Sequence, residues 1–338
     1  MIGILSAAQE LYPLVKLYSF AVLSNHWEYL ASSTCAEEFS FFSGYVNSNF
    51  ARECGRAHNW RGPFWGRRVR VIPCLDDAAT IDRLRYCMAQ GAKEGLVDSP
   101  LDWPGATAVP ALIGDMTLVG ERIDRHALRR ARDTCRRRGI AIDTIHEADY
   151  TRETRLQLTP LPVFQNLEQE VLRACHVELL NSIVALAASE RVGRPSLGVV
   201  AITQQDPHAA PLNFAPTPAP SCHTSSAHLR RAFQRLHNAF TIAYRKVADA
   251  IANLLSPRRH RRYGDDASSP NTAILHAKTP AKMAKWTMTT RLIELQRQVP
   301  PGMFLQPRFM RPPPHEVDAE ITSVRFSDRF TVGWSRAA

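Results

Sequence analysis

Lys16-Leu17-Tyr18-Ser19-Phe20-Ala21-Val22-Leu23, then Ser24-Asn25, then His26-Trp27-Glu28-Tyr29-Leu30-Ala31: the reading of this stretch decides the fold. Its first eight residues hold aromatic and β-branched types that fit a pleated, half-buried surface, so they read as a strand. Ser24-Asn25 is a turn signal. Residues 26–31 read as a second strand, which makes 16–31 a hairpin. Side chains two apart in a strand point to the same face. His26 and Glu28 are therefore expected to project together, with Trp27 and Tyr29 on the other side. An imidazole beside a carboxylate can hold a divalent cation with coordination positions left open.

Working outward, residues 2–14 read as a helix ended near Pro13. Residues 36–58 are helical, with Phe39, Phe42, Val46 and Phe50 forming a buried stripe. Arg61-Gly62-Pro63 breaks that helix, and the alternation in 67–73 suits a third strand. Residues 77–92 are helical again, capped by Asp76 or Asp77. Tyr86 and Gln90 are four apart there, so a helix running to 92 stacks them one turn apart on one face. A sheet face with His26 and Glu28, covered by that helix, would set a metal beside a nucleophile.

The texture changes beyond residue 105. Residues 122–138 hold eight Arg in a helical pattern whose apolar side is Ile123, Ala127, Leu128 and Ala131. Residues 164–190 form another helix, 206–223 are Pro-rich and extended, and 227–255 form a long helix. Arg258-Arg259-His260-Arg261-Arg262 follows, and the tail contains Pro312-Pro313-Pro314. The expected divisions are 1–105, 106–205 as a helical Arg-rich region, 206–226 as a linker, 227–265 as a basic helix and 266–338 as a loosely ordered tail.

The chain has 338 residues, 42 Lys and Arg against 32 Asp and Glu, and a formal charge of +10. That excess favours polyanionic partners through attraction to phosphates and release of their counterions. Seven Cys without a Cys-x-x-Cys pair exclude a common structural zinc pattern and fit free thiols in a reducing compartment. No stretch reads as the roughly 20 apolar residues that cross a bilayer, and the N-terminus lacks the basic start of a signal peptide. No membrane partner is therefore expected.

Residues 20–30, Phe-Ala-Val-Leu-Ser-Asn-His-Trp-Glu-Tyr-Leu, resemble the HUH segment of single-tyrosine transposases related to the REP-associated tyrosine transposases. In that family two His flank one hydrophobic residue. The similarity continues through Asn49-Phe50-Ala51-Arg52, Gly62-Pro63-Phe64-Trp65, Leu84-Arg85-Tyr86-Cys87-Met88-Ala89-Gln90 and Gly95 to Pro104, in matching order and spacing. It covers about residues 15–105.

The resemblance implies an α+β fold, with a ferredoxin-like or RRM-like antiparallel sheet and packed helices, followed by a mainly helical C-terminal region. It implies Tyr86 as nucleophile and His26, Glu28 and Gln90 as ligands of Mg²⁺ or Mn²⁺, Glu28 standing where the second His is expected. It further implies single-stranded or hairpin DNA as partner, a bacterial cytoplasmic setting, and a homodimer as one assembly. The family has a further strand before the first helix; its absence here implies a truncated domain with an exposed sheet edge. Arg61, Arg67, Arg68 and Arg70 are candidates to line the DNA strand, with Trp65 as a stacking surface. Arg129, Arg130, Arg136 and Arg137 are candidates to hold DNA outside the site, or form an ordinary solvated helix face. Two functions stay open: a DNA-cutting transposase, or a relative that binds DNA hairpins without cutting.

Overall fold

The computed structural model describes residues 1–66, 69–208, 220–260 and 320–326. The chain divides into two compact units, one of residues 1–225 with 318–338 and one of residues 226–317. The first is a mixed α/β body with two small antiparallel sheets.

In chain order the first unit runs α1 Ile2–Leu11, β1 Val15–Val22, β2 Trp27–Ser33, α2 Ala36–Ala57, β3 Arg70–Pro73, α3 Asp77–Met88, α4 Val109–Leu112, β4 Thr117–Ile123, α5 Arg125–Arg138, β5 Thr151–Gln157, α6 Gln169–Arg191 and α7 Val199–Thr203. The second unit holds α8, Ala227–His260, and β6, Glu320–Phe326, returns to the first. The main sheet has the order β1-β2-β6-β3, every pair antiparallel. β4 and β5 form a separate two-stranded sheet.

The hairpin closes as the sequence implies: Leu23 N–H donates to the His26 carbonyl at 2.8 Å, leaving Ser24 and Asn25 as a two-residue loop. β1 and β2 are buried on both faces because helices cover both. Trp27 donates to Asn47 of α2 and Tyr29 bonds Ser43 of α2, so the odd residues of β2 face α2. Glu28 points the other way and meets Gln90, just past α3. Period-two alternation thus sorts β2 as expected.

The interior of the sheet is closed by a strand from far along the chain. In a β-α-β-β-α-β ferredoxin-like arrangement the strand preceding the first helix is an interior one. Here β6 holds the interior place, pairing Trp27 with Phe326 on one side and Arg70 with Arg325 on the other. The exposed edge expected from a missing strand is therefore not found at that place, and residues 320–326, expected within a loose tail, form a strand.

Residues 106–205 differ from the helical region expected, since they contribute β4 and β5. Arg122 lies on β4 rather than on the Arg-rich helix, which starts at Arg125 behind an Asp124 cap. Leu112, Leu156, Leu158, Leu172, Leu180 and Ile183 share one apolar core with Leu5, Phe20 and Tyr29, so position 105 is no core boundary. α1 lies so close to β4 that a Cβ on Gly3 would come 2.1 Å from the Glu121 carbonyl oxygen; only a bare Cα fits.

Among the described residues α6 is long and apolar enough to cross a membrane by length and composition, which the sequence reading missed. Its Leu172, His176, Leu180, Ile183 and Ala187 recur at helical spacing and are buried. Of the Pro-rich linker, residues 209–219 lie outside the described residues, whereas Thr224 and Ser225 bond the Asp76 carboxylate. Arg67, Arg68, Arg261, Arg262 and most of the tail also lie outside them.

Candidate functional site

Glu28 pairs with Ala21 across the β1–β2 hairpin and is 5% exposed. Gln90 is equally enclosed and donates its side-chain N–H to the Glu28 carboxylate, across 62 residues of sequence. Gln90 is not on α3, which ends at Met88 with Ala89 as its cap. The chain turns there because Gly91 sits at φ +84°, and a Cβ on it would meet the Trp103 ring at 2.8 Å. Trp103 donates its indole N–H to the Val22 carbonyl at 2.8 Å, which ties the loop to the end of β1.

Tyr86 lies half-buried one turn before Gln90. The Lys93 ammonium sits 3.1 Å from its ring centroid and the Arg83 guanidinium 4.6 Å, so two cations flank the phenol face. Neighbouring Cys87 is buried, and burial together with the Glu28 charge pushes its thiol far above the ordinary range, so it stays a neutral thiol. Lys93 acts on the same thiol in the opposite sense. Glu28 thus meets Gln90 and acts on the Cys87 thiol, while Lys93 meets the Tyr86 ring and acts on the same thiol.

His26 has a different set of described neighbours. β2 starts at Trp27, and His26 flanks the two-residue turn just before it. Its Nδ1 lies 2.5 Å from Asn25 Oδ1. It lines a cavity of about 270 Å³ with Phe50 and Cys54 of α2, His58 and Trp65. That cavity is lined by residues of α2, whereas Glu28 meets the loop after α3.

Among the described residues no group of three or more His, Cys, Asp or Glu is arranged to hold a metal ion. Glu28 and Gln90 nonetheless offer two oxygens, and Gln90 Oε1 is buried without a hydrogen-bond partner among the described residues. One carboxylate and one amide oxygen fit a hard divalent ion of the kind that completes its shell with substrate phosphate and water.

The other candidates are dispersed. Arg61 and Arg70 are exposed, and Trp65 is half-buried, donating its indole N–H to the Asn47 carbonyl at 3.0 Å. Arg129, Arg130, Arg136 and Arg137 are exposed on α5, where Asp133 lies 2.8 Å from Arg136 and 3.8 Å from Arg129. Sequence reasoning missed Lys93, although it stands seven residues after Tyr86, a helical two-turn spacing. It also missed Gln205, which reaches the His26 cavity from over 170 residues away with no local signal. Comparison of the chain with protein-family models, curated proteins and solved structures finds no match.

Proposed function

We propose that the chain is a single-tyrosine HUH-type transposase acting on single-stranded DNA. The observation that carries this reading is the Glu28–Gln90 contact, which joins the hairpin to the loop that follows the helix bearing Tyr86.

A phenol is a poor nucleophile at neutral pH and needs charge nearby. Lys93 and Arg83 place positive charge at the Tyr86 ring, where the attacking oxygen and a phosphate would each gain from it. Tyr86 Oη bonds to phosphorus while the bond from phosphorus to the neighbouring 3′-oxygen breaks. That oxygen leaves with a proton as a 3′-OH, and the 5′-phosphate stays on the tyrosine. One ester replaces another, so the reverse attack by a 3′-OH reseals the strand without outside energy. When bound at Glu28 and Gln90, Mg²⁺ or Mn²⁺ supplies further positive charge to the phosphoryl oxygens.

The test uses the full chain and a DNA hairpin with single-stranded flanks, in Mg²⁺ or Mn²⁺. A covalent adduct to the 5′ end of the product is expected, and Tyr86→Phe should abolish it with binding near normal. An adduct that persists in Tyr86→Phe overturns the assignment. The different described neighbours of His26 and Glu28 favour a second reading, a protein that binds hairpins without cutting. Hairpin binding with no adduct in either form would select it.

A further inference from the structure

The cavity beside the β1–β2 turn is not used by the chemistry above. Phe50 and Trp65 line it with rings 5.6 Å apart and inclined by only 22°. Phe64 meets both edge-on, at 5.9 Å and 4.8 Å. Asn25 and His58 add polar groups to the wall. From the far side comes Gln205, just past α7; its side-chain oxygen is buried and has no hydrogen-bond partner among the described residues. The segment that carries Gln205 is held in place next door: His208 stacks on Trp60 at 5.3 Å and lies 2.9 Å from the His58 carbonyl.

A buried acceptor left unsatisfied is costly unless something donates to it. Aromatic walls with one such acceptor suit a flat ring that carries an amino group on its edge. The volume, about 270 Å³, lies just under the usual range for small-molecule pockets, about 300–1,000 Å³, and so suits a single ring system. Bases lifted out of a strand are held elsewhere against aromatic side chains, with polar groups reading their edge. Exposed Arg61 follows Trp60 in the same loop and can meet the phosphate that comes with such a base.

We infer that this cavity binds one unpaired nucleobase bearing an exocyclic amino group, stacked against the Phe64–Trp65 wall with its amine donating to Gln205. The inference rests on the DNA-processing reading, since it names the part of the strand that the protein grips away from Tyr86. A free nucleotide offers the same chemistry, and the test separates the two sources.

The full chain is titrated with a hairpin carrying single-stranded flanks, in which one abasic sugar is moved through the flanks position by position. One position should weaken binding about tenfold, the scale of a lost base–aromatic stack. Gln205→Leu and, separately, Phe64→Ala should flatten that profile, and both should leave the yield of Tyr86 adduct per bound complex unchanged. The Gln205 side-chain oxygen has no hydrogen-bond partner among the described residues, so Leu in its place removes no described bond to that oxygen. A free deoxynucleotide monophosphate should compete only weakly if the strand supplies the base; competition below the oligonucleotide's own dissociation constant would overturn the strand as its source. A flat abasic profile in the unaltered chain, with binding and adduct intact, overturns the base pocket and leaves the transposase reading standing. A sharp position that survives both substitutions also overturns it, because the base is then held elsewhere. Absence of both DNA binding and adduct removes the transposase reading and the base pocket with it.

Discussion

Gln90 donates to the Glu28 carboxylate, and both side chains are nearly enclosed. Removing Glu28 leaves the buried Gln90 amide without its acceptor, and removing Gln90 takes a donor from the buried carboxylate, each at a cost of about 1–3 kcal/mol. Glu28→Ala and Gln90→Ala should therefore each lower stability by that amount in chemical denaturation. The double variant should lose clearly less than the sum, since the two groups share one interaction. Additive losses would mean that the contact contributes nothing. The position of Glu28 was legible from strand alternation alone, because Trp27, Glu28 and Tyr29 all lie inside β2. His26 closes the hairpin through its carbonyl, and its described neighbours include α2 residues brought in from elsewhere in the chain, which strand spacing alone does not reveal.

At the scale of elements, patterns with a strong apolar period were legible and weak ones were not. α2 was expected at 36–58 and spans Ala36–Ala57, led by Phe42 and Val46. α3 stops four residues short of the expected 92 because Gly91 turns the chain. β5, Thr-Arg-Glu-Thr-Arg-Leu-Gln, escaped notice since only Thr154 and Leu156 of its seven residues are buried, too few to mark a period. The segment 220–225 is a weaker element still, held against the start of α3 by polar contacts, and it carries a pH dependence. The Thr224 hydroxyl, with the Ala79 and Ser225 amides, holds the Asp76 carboxyl down to about 2. Burial, aided by repulsion from Arg83 and opposed by Asp82, holds the His223 imidazole down to about 4 from 6.5. Both groups bind protons less readily when folded than when unfolded, so both contribute stability at neutral pH that fades on acidification. For His223 the loss runs from about pH 6.5 to about 4, and for Asp76 from about 4 to about 2. Hydrogen-exchange protection factors at the Leu75, His223 and Ser225 amides should fall across the first window, and His223→Gln should erase that fall. Protection that stays level from pH 7 to 4 would contradict the assignment.

At the scale of the molecule, the sheet depends on β6, whose residues carry no sign of their partners: nothing local tells a Glu-Ile-Thr-Ser-Val-Arg-Phe run that it belongs between β2 and β3. A chain stopped before Glu320 leaves β2 and β3 with unpaired backbone groups facing one another. Such edges recruit other chains. The shortened chain should elute as oligomers or aggregates on size exclusion and lose its cooperative thermal transition. A peptide of residues 318–338 added during refolding should restore part of both. A monomeric shortened chain with an unchanged transition would show that β6 is dispensable.

Trp27 and its β6 partner Phe326 are 299 positions apart, so the ribosome makes one long before the other. At about 5–20 residues per second, the delay is about 15–60 s. Throughout that interval the nascent β1–β2 hairpin waits with an open slot at its inner side. On a crowded messenger RNA, chains just released by ribosomes further along carry finished copies of the same strand. The slot accepts either copy by the same backbone ladder, so spacing between ribosomes decides how often two newborn chains leave translation interlocked.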